Sequence, residues 1–250
     1  MINDAHNTAA AIYYNRDRPS IVALIKPGPH VILDLGCGSG AVGRKLMETG
    51  KASEMIGVEI FPTAAEEASR HYARVHCGDI EEMSLPYGQH FDYVLCGDIL
   101  EHLKNPYSVV ARIPGWLKHD GRFICSVPNV RHWRVLRDVI VRGEWEYREA
   151  GIMDRTHLRF FTRRSCYRML EEAGFTVERH RMLITGRRYI ALNAVTFGLF
   201  QEFFGSQIVA LAARRAPAPS PQLPAPTPDQ PSPSNAPESP SQPESKSSAG

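Results

Sequence analysis

The segment Val31-Ile32-Leu33-Asp34-Leu35-Gly36-Cys37-Gly38-Ser39-Gly40 constrains the fold more than any other stretch of the chain. A β-branched apolar run enters three glycines and leaves them into a helical pattern over residues 40–48. Glycines at such a place let the backbone turn sharply and approach a ligand that a side chain would hold off. The helix N-terminus adds N–H groups that lack an intrahelical partner. Two kinds of ligand could use this turn. Gly38-x-Gly40-x-x-Gly43 fits the dinucleotide pattern, in which a pyrophosphate sits on the helix dipole. Asp34 argues against that ligand. A carboxylate at the strand's end repels pyrophosphate and suits an ammonium or another cationic group.

Beyond the turn, apolar runs alternate with helical patterns. Residues 31–35, 55–58, 73–76, 91–96 and 122–127 read as strands. Residues 40–48, 62–71 and 106–117 carry helix signals, and Pro62 and Pro106 suit a first helical turn, where a missing N–H is no loss. Strands apolar on both faces, separated by helices, read as a parallel sheet built from right-handed βαβ units. Residues 129–161 break the rhythm. They are rich in arginine and aromatics and read as an insertion over the sheet's ligand-binding edge. Thr162 is expected to cap a helix over residues 163–173, with Gly174 as its left-handed stop. Residues 175–184 and 207–213 read as two final strands. The stretch 189–213 carries one charge, Glu202, but Asn193, Gln201 and Gln207 interrupt it, so it reads as core helix plus core strand rather than a membrane span.

Eleven of the 19 prolines lie between Pro217 and Pro243, in a segment with almost no large apolar residue. Residues 215–250 are therefore expected to be a disordered Pro/Ser-rich tail, and residues 1–214 the folded domain. The five cysteines are odd in number and form no C-x-x-C pair. That excludes a disulfide framework and fits a reducing cytoplasm. The first 18 residues have no apolar core of the kind a signal peptide needs. A net charge of +2, with no basic arm or recognisable RNA module, excludes DNA as partner and disfavours RNA. Oligomeric state is not readable from these features.

Acidic residues recur where strands end. Glu59 closes the second, where a carboxylate can accept both hydroxyls of a ribose. Asp79 follows the third in Cys77-Gly78-Asp79-Ile80. Asp98 follows the fourth, leading into Ile99-Leu100-Glu101-His102. Taken together, D-x-G-x-G-x-G, the acid ending strand two, G-D-I, and F-D-Y-V-L-x-x-D-x-L-E-H resemble the class I S-adenosylmethionine (SAM) methyltransferases. The branch most resembled holds the ubiquinone-biosynthesis O-methyltransferases and related small-molecule and sugar methyltransferases. The resemblance spans about residues 13–214 and fades over 129–161. It implies an α/β, Rossmann-like sheet of seven strands in the order 3-2-1-4-5-7-6, the last antiparallel, with helices on both faces. It implies SAM as cofactor. Asp34, Gly36, Cys37, Gly38 and Gly40 would cradle the methionine end, Glu59 with Ile60 would hold the ribose, and Asp79 with Ile80 would frame the adenine. Asp98 would line the methyl-transfer site. No metal is expected from Asp98, Glu101 and His102, because no second distant carboxylate cluster accompanies them.

The acceptor is expected to be a small anionic hydroxyl compound, such as a nucleotide-sugar, a saccharide or a phenolic acid. Residues 131–188 hold fourteen arginines, eight acids and no lysine. Arginine in preference to lysine suits planar anions held by two hydrogen bonds. Arg163 and Arg164 fall in a first helical turn, where a bound anion would relieve their conflict with the dipole. His157, between Arg155 and Arg159, is the leading base, since flanking cations favour a neutral imidazole; His102 is the reserve. Arg159 is expected to hold the acceptor's acidic group. Two other readings stay open. One is a SAM-fold module that binds without catalysis and offers its Pro-rich tail to a partner; the other is an NAD-dependent oxidoreductase.

Overall fold

The computed structural model describes residues 18–215. The Pro-rich tail from residue 216 and the start of the resemblance at Tyr13 lie outside the described residues. Within them, α1 (Pro19–Val22) precedes β1 (His30–Leu35), α2 (Ala41–Glu48), β2 (Ala52–Glu59), α3 (Pro62–Ala68), β3 (Arg74–Cys77) and β4 (Phe91–Gly97). A short 3-10 turn, Leu100–His102, leads to α4 (Pro106–Trp116) and β5 (Leu117–Pro128). Next come α5 (Trp133–Arg137), α6 (Arg163–Glu172), β6 (Phe175–Ile184), α7 (Arg187–Val195), α8 (Gln201–Phe204) and β7 (Gly205–Arg214). The seven strands form one sheet in the order β3-β2-β1-β4-β5-β7-β6. The first five run parallel, and β7 lies antiparallel between β5 and β6. This is the expected order.

Why the central strands are apolar throughout is visible in the packing. Neighbouring residues point to opposite faces, and both faces are covered. Leu33, Val94 and Phe123 join α4 and α6 in one core. Ile32, Tyr93 and Ile124 join α1 and α2 in the other. Thr162 caps α6 as expected, and Ser165 makes the cap reciprocal: each side chain accepts from the other's backbone N–H, at 3.2 and 2.9 Å. Gly174 ends that helix at φ +82°.

Three expectations are corrected. The stretch 189–213 is half core: β7 is buried, but no residue of α7 is, because its large apolar side chains face outward. Glu202, just before β7, bonds Arg163 at 2.5 Å and so supplies a counter-charge from within the chain. Gly43 is not a ligand-binding glycine. A Cβ there would stand 2.4–2.6 Å from the Tyr72 ring and hydroxyl, so this glycine exists to seat Tyr72. Gly43→Ala should therefore lower stability by about 1–3 kcal/mol, as overpacking does. Urea unfolding checks this; an unchanged midpoint would mean that Tyr72 is free to shift.

Candidate active site

The sheet's parallel register brings the turn after β1 beside the ends of β2 and β4. Leu35 pairs with Val58 on one side and Cys96 on the other. Gly36, Gly38 and Gly40 all have positive φ, at 69°, 55° and 84°. The Gly36 and Cys37 N–H groups donate to the Val58 carbonyl at 2.8 and 3.1 Å. Glu59 is buried and locks the turn: Oε2 accepts from Gly38 N–H at 2.9 Å and Oε1 from Phe61 N–H at 3.0 Å. Each oxygen retains acceptor capacity for a ligand. Ile60 and Phe61 stand exposed beside it as an apolar shelf. Asp79 follows β3, whose Cys77 pairs with Glu59. Its Oδ1 accepts from Glu81 N–H at 2.8 Å, so part of its work is to form that turn. Ile80 is buried in the core. The Cys37 thiol is buried against Gly57, where a Cβ would come within 2.7 Å of sulfur. Burial and the nearby carboxylates of Asp34 and Glu59 push that thiol far above its ordinary range, so Cys37 offers the site its backbone and no nucleophile.

Asp34 is the buried centre of the arrangement. Its Oδ2 accepts from the Tyr72 hydroxyl at 2.7 Å, and that hydroxyl in turn accepts from Gly43 N–H at 3.2 Å. Burial raises the Asp34 pKa to about 6, against the pull of the Tyr72 hydrogen bond and of Arg18. Asp98 sits at φ +54°, a conformation rare for a side-chain-bearing residue. Three donors converge on its carboxylate: Ser126 Oγ at 2.5 Å, Gln207 Nε2, and the guanidinium of Arg18. Gly97 lets Arg18 approach, since a Cβ there would lie 3.0 Å from its Cδ. Sequence reasoning missed Tyr72, Arg18, Ser126 and Gln207. Only Arg18, a cation immediately before α1, left any local signal.

A second cluster lies alongside. Glu101, His102 and His157 have ligand atoms within 4.8 Å of one another. His157 is buried, and its Nδ1 lies 3.0 Å from the Ile152 carbonyl. A carbonyl only accepts, so Nδ1 carries the proton and Nε2 is the open lone pair. His102 Nδ1 faces the Thr156 carbonyl at 3.3 Å and its hydroxyl at 3.1 Å, which fixes the same tautomer. Burial, then His157, lowers the His102 pKa below the ordinary imidazole value. The Glu101 carboxyl is fully buried and its oxygens have no hydrogen-bond partner. Burial, reinforced by Asp98, drives its pKa well up, so it is a neutral acid. The flanking arginines do not serve His157 as expected. Arg155 pairs with Glu149, and Arg159 bonds the carbonyls of Leu158 and Lys104. Arg134 and Arg148 line a cleft of about 270 Å³, together with Trp133, Asp138, Ile152, Tyr189 and Ser206, and Arg148 pairs there with Asp138 at 3.1 Å. Ile152 is the residue that orients His157, and Ser206 precedes the Gln207 that holds Asp98.

Comparison with known proteins agrees with this fold. A methyltransferase-domain family model matches residues 8–180, and the chain belongs to that family. A ubiquinone biosynthesis O-methyltransferase of Cereibacter sphaeroides (strain KD131 / KCTC 12085) is 28% identical over 148 residues, covering 57% of this chain. The chain spans 59% of that relative's length. A SAM-dependent methyltransferase from Mesorhizobium loti superposes with a TM-score of 0.58 at 17% identity, over 80% of this chain and 98% of the other. So does the Burkholderia thailandensis 1,6-didemethyltoxoflavin-N1-methyltransferase, solved with S-adenosylhomocysteine: TM-score 0.58, 19% identity, 86% and 85% covered. The fold is that of the class I SAM-dependent methyltransferases.

The Asp34 environment gives a prediction with a definite sign. Its folded pKa of about 6 exceeds the reference 3.8, so the folded chain holds the extra proton between those values. This group's contribution to stability falls as pH rises through that window, and above it the full penalty, on the order of 3 kcal/mol, applies. Asp34→Asn keeps an acceptor for Tyr72 and removes the penalty. Urea titrations across pH should find the variant at least as stable as the parent at neutral pH, with a flatter profile at acid pH. A variant less stable at neutral pH would show that Asp34 is favourably ionised.

Proposed function

We propose that the chain is a SAM-dependent O-methyltransferase acting on a small anionic hydroxyl compound. The carrying observation is the juxtaposition, on one sheet edge, of the glycine turn, three carboxylates and a pair of imidazoles with fixed tautomers. When bound, SAM supplies a methyl group on a sulfonium, already activated for displacement. The residues present fit it: the turn leaves no Cβ where the ligand's methionine end would run, and the carboxylates match its cationic groups. In this reading Asp34 and the backbone of Gly36, Cys37, Gly38 and Gly40 hold the methionine end. Glu59 and Ile60 take the ribose, and Asp79 with Ile80 frames the adenine. Asp98 lines the transfer site, with Arg18 as the cation that meets the ligand's carboxylate.

The chain's remaining task is to orient the acceptor, exclude water and remove a proton. The acceptor oxygen loses its proton to His157 Nε2 as it takes the methyl, while Nδ1–H stays on the Ile152 carbonyl. Glu101, kept neutral by burial, adds no charge beside the two rings. His102 is the reserve base. In this reading Arg134, on the cleft wall, holds the acceptor's anionic group, since Arg148 is paired with Asp138 and Arg159 with backbone carbonyls. The O-methyltransferase names of the curated relatives support oxygen as the acceptor atom. The oxidoreductase reading is disfavoured by Asp34, a buried carboxylate at the end of β1 where a pyrophosphate would be repelled.

Transfer of radiolabelled methyl from SAM to a panel of nucleotide-sugars and phenolic acids tests the reading. Labelled product supports it. SAM binding with no transfer to any acceptor would favour the non-catalytic module, and binding of NAD instead of SAM would overturn both. With an acceptor in hand, His157→Gln should reduce turnover by about 10²–10⁴-fold and leave SAM affinity unchanged. Full turnover in that variant would pass the base role to His102, whose lowered pKa would extend activity to more acid pH than an ordinary imidazole allows. Glu59→Ala should weaken SAM binding by about 1.5–3 kcal/mol, measured by calorimetry.

A further inference from the structure

The insertion after β5 builds an aromatic surface that the proton-transfer chemistry does not use. Along residues 144–148 the side chains alternate. Glu144, Glu146 and Arg148 line a small hollow with Val139 and Met153. Trp145 and Tyr147 turn instead to Phe160, with ring centroids 5.2 and 6.3 Å from it. Trp145 meets that ring edge to face, at 79°, and stays 49% exposed; Tyr147 is 45% exposed. Two large rings half in water are not core residues. Nor do they ride on a loose loop. The Glu144 N–H donates to the Asp138 carbonyl at 2.9 Å and the Arg148 N–H to the Met153 carbonyl at 2.7 Å, so the segment that carries them is tied at both ends.

This aromatic platform adjoins the candidate base. The Phe160 ring lies 6.4 Å from the His157 ring, so rings lead from the surface to the imidazole. Charge and shape say what lies on them. Residues 144–149 hold three acids and one arginine. Such a segment repels the phosphates of a nucleic acid, which needs cations beside its stacking rings. A phenolic acid would set its carboxylate against the same acids. A pyranose carries a face of C–H groups, which packs on the negative face of an aromatic ring, and a rim of hydroxyls that both donate and accept. Partners for that rim are at hand. Two residues past Tyr147, the exposed Glu149 pairs with the exposed Arg155 at 2.6 Å, a planar donor fork beside an acceptor.

We propose that Trp145, Tyr147 and Phe160 form the stacking subsite of a saccharide acceptor, which presents one of its hydroxyls to His157. This rests on the methyl-transfer reading and narrows its acceptor class to saccharides. The hydroxyl oxygen takes the methyl, its proton passes to His157 Nε2, and the electron pair of the broken S–CH3 bond stays on sulfur.

Two measurements on the full chain test this. The first is direct binding, followed by tryptophan fluorescence and calorimetry, with methyl α-mannopyranoside, maltose and methyl glucuronide as probes and 4-hydroxybenzoate as the phenolic comparison. Trp145 is the most exposed of the three tryptophans, so saccharide binding should change the emission. Trp145→Ala and Tyr147→Ala should each weaken it about three- to tenfold. Both should keep the parent's SAM affinity and melting temperature, which guards against misfolding. The second is labelled methyl transfer to the same four compounds, where Trp145→Ala should raise the KM for a saccharide more than it lowers kcat. No saccharide binding, binding that the variants leave undiminished, or transfer to 4-hydroxybenzoate alone would each overturn the proposal and leave the methyl-transfer reading standing. Saccharide bound beside SAM with no transfer would overturn the acceptor role. Failure to bind SAM at all would overturn the methyl-transfer reading, and this proposal with it.

Discussion

The hydrogen bond from the Tyr72 hydroxyl to Asp34 is the contact on which the candidate site rests. Asp34 is buried at the end of a central strand, so its carboxylate must find a donor inside the protein. Tyr72 reaches it from beyond α3, and the ring needs room to do so. Gly40, Gly43 and Gly57 give that room: a Cβ on any of them would come within 3.1 Å of the ring. The glycines therefore have a division of labour. Gly36 and Gly38 shape the turn, while Gly43 and Gly57 clear a path for one side chain. Gly40 does both, through its positive φ and its contact with Tyr72.

The three carboxylates on this edge are stabilised by different means. Asp34 has one hydroxyl and a pKa lifted to about 6. Glu59 has two backbone N–H groups. Asp98 has a guanidinium, a hydroxyl and an amide. Asp34 is thus the least compensated when ionised, and a cation brought to it gains the most. Asp98 is the most compensated, and its donors come from before β1, from β5 and from β7. Its positive φ is held in place by that convergence. The site is rigid where the chain is tied from three directions and charge-deficient where only Tyr72 helps.

The fold was legible because its signals are local. A buried strand entering a glycine turn, and the alternation that follows, specify parallel βαβ units, and Thr162 and Gly174 mark a helix by their own chemistry. What escaped was whatever depends on a distant partner. Tyr72, Ser126 and Gln207 reach the site across 38, 28 and 109 residues of sequence. The apolar stretch at 189–213 was misread for the same reason. Hydropathy reports that side chains avoid water; it does not report whether a second surface is present to cover them. Beside α7 none is. Arg155 and Arg159 were near His157 in sequence, but the turn at Asp154–His157, the Glu149 carboxylate and competing carbonyls carried them elsewhere.

The insertion and the histidine pair are tied together. Leu158 and Arg159 both donate their backbone N–H to the Glu101 carbonyl, at 2.8 and 3.0 Å. That clamp lays His157 over His102, with ring centroids 4.8 Å apart, and closes Glu101 off from water. One pair of backbone hydrogen bonds therefore fixes both rings and leaves beside them a carboxyl that burial keeps neutral.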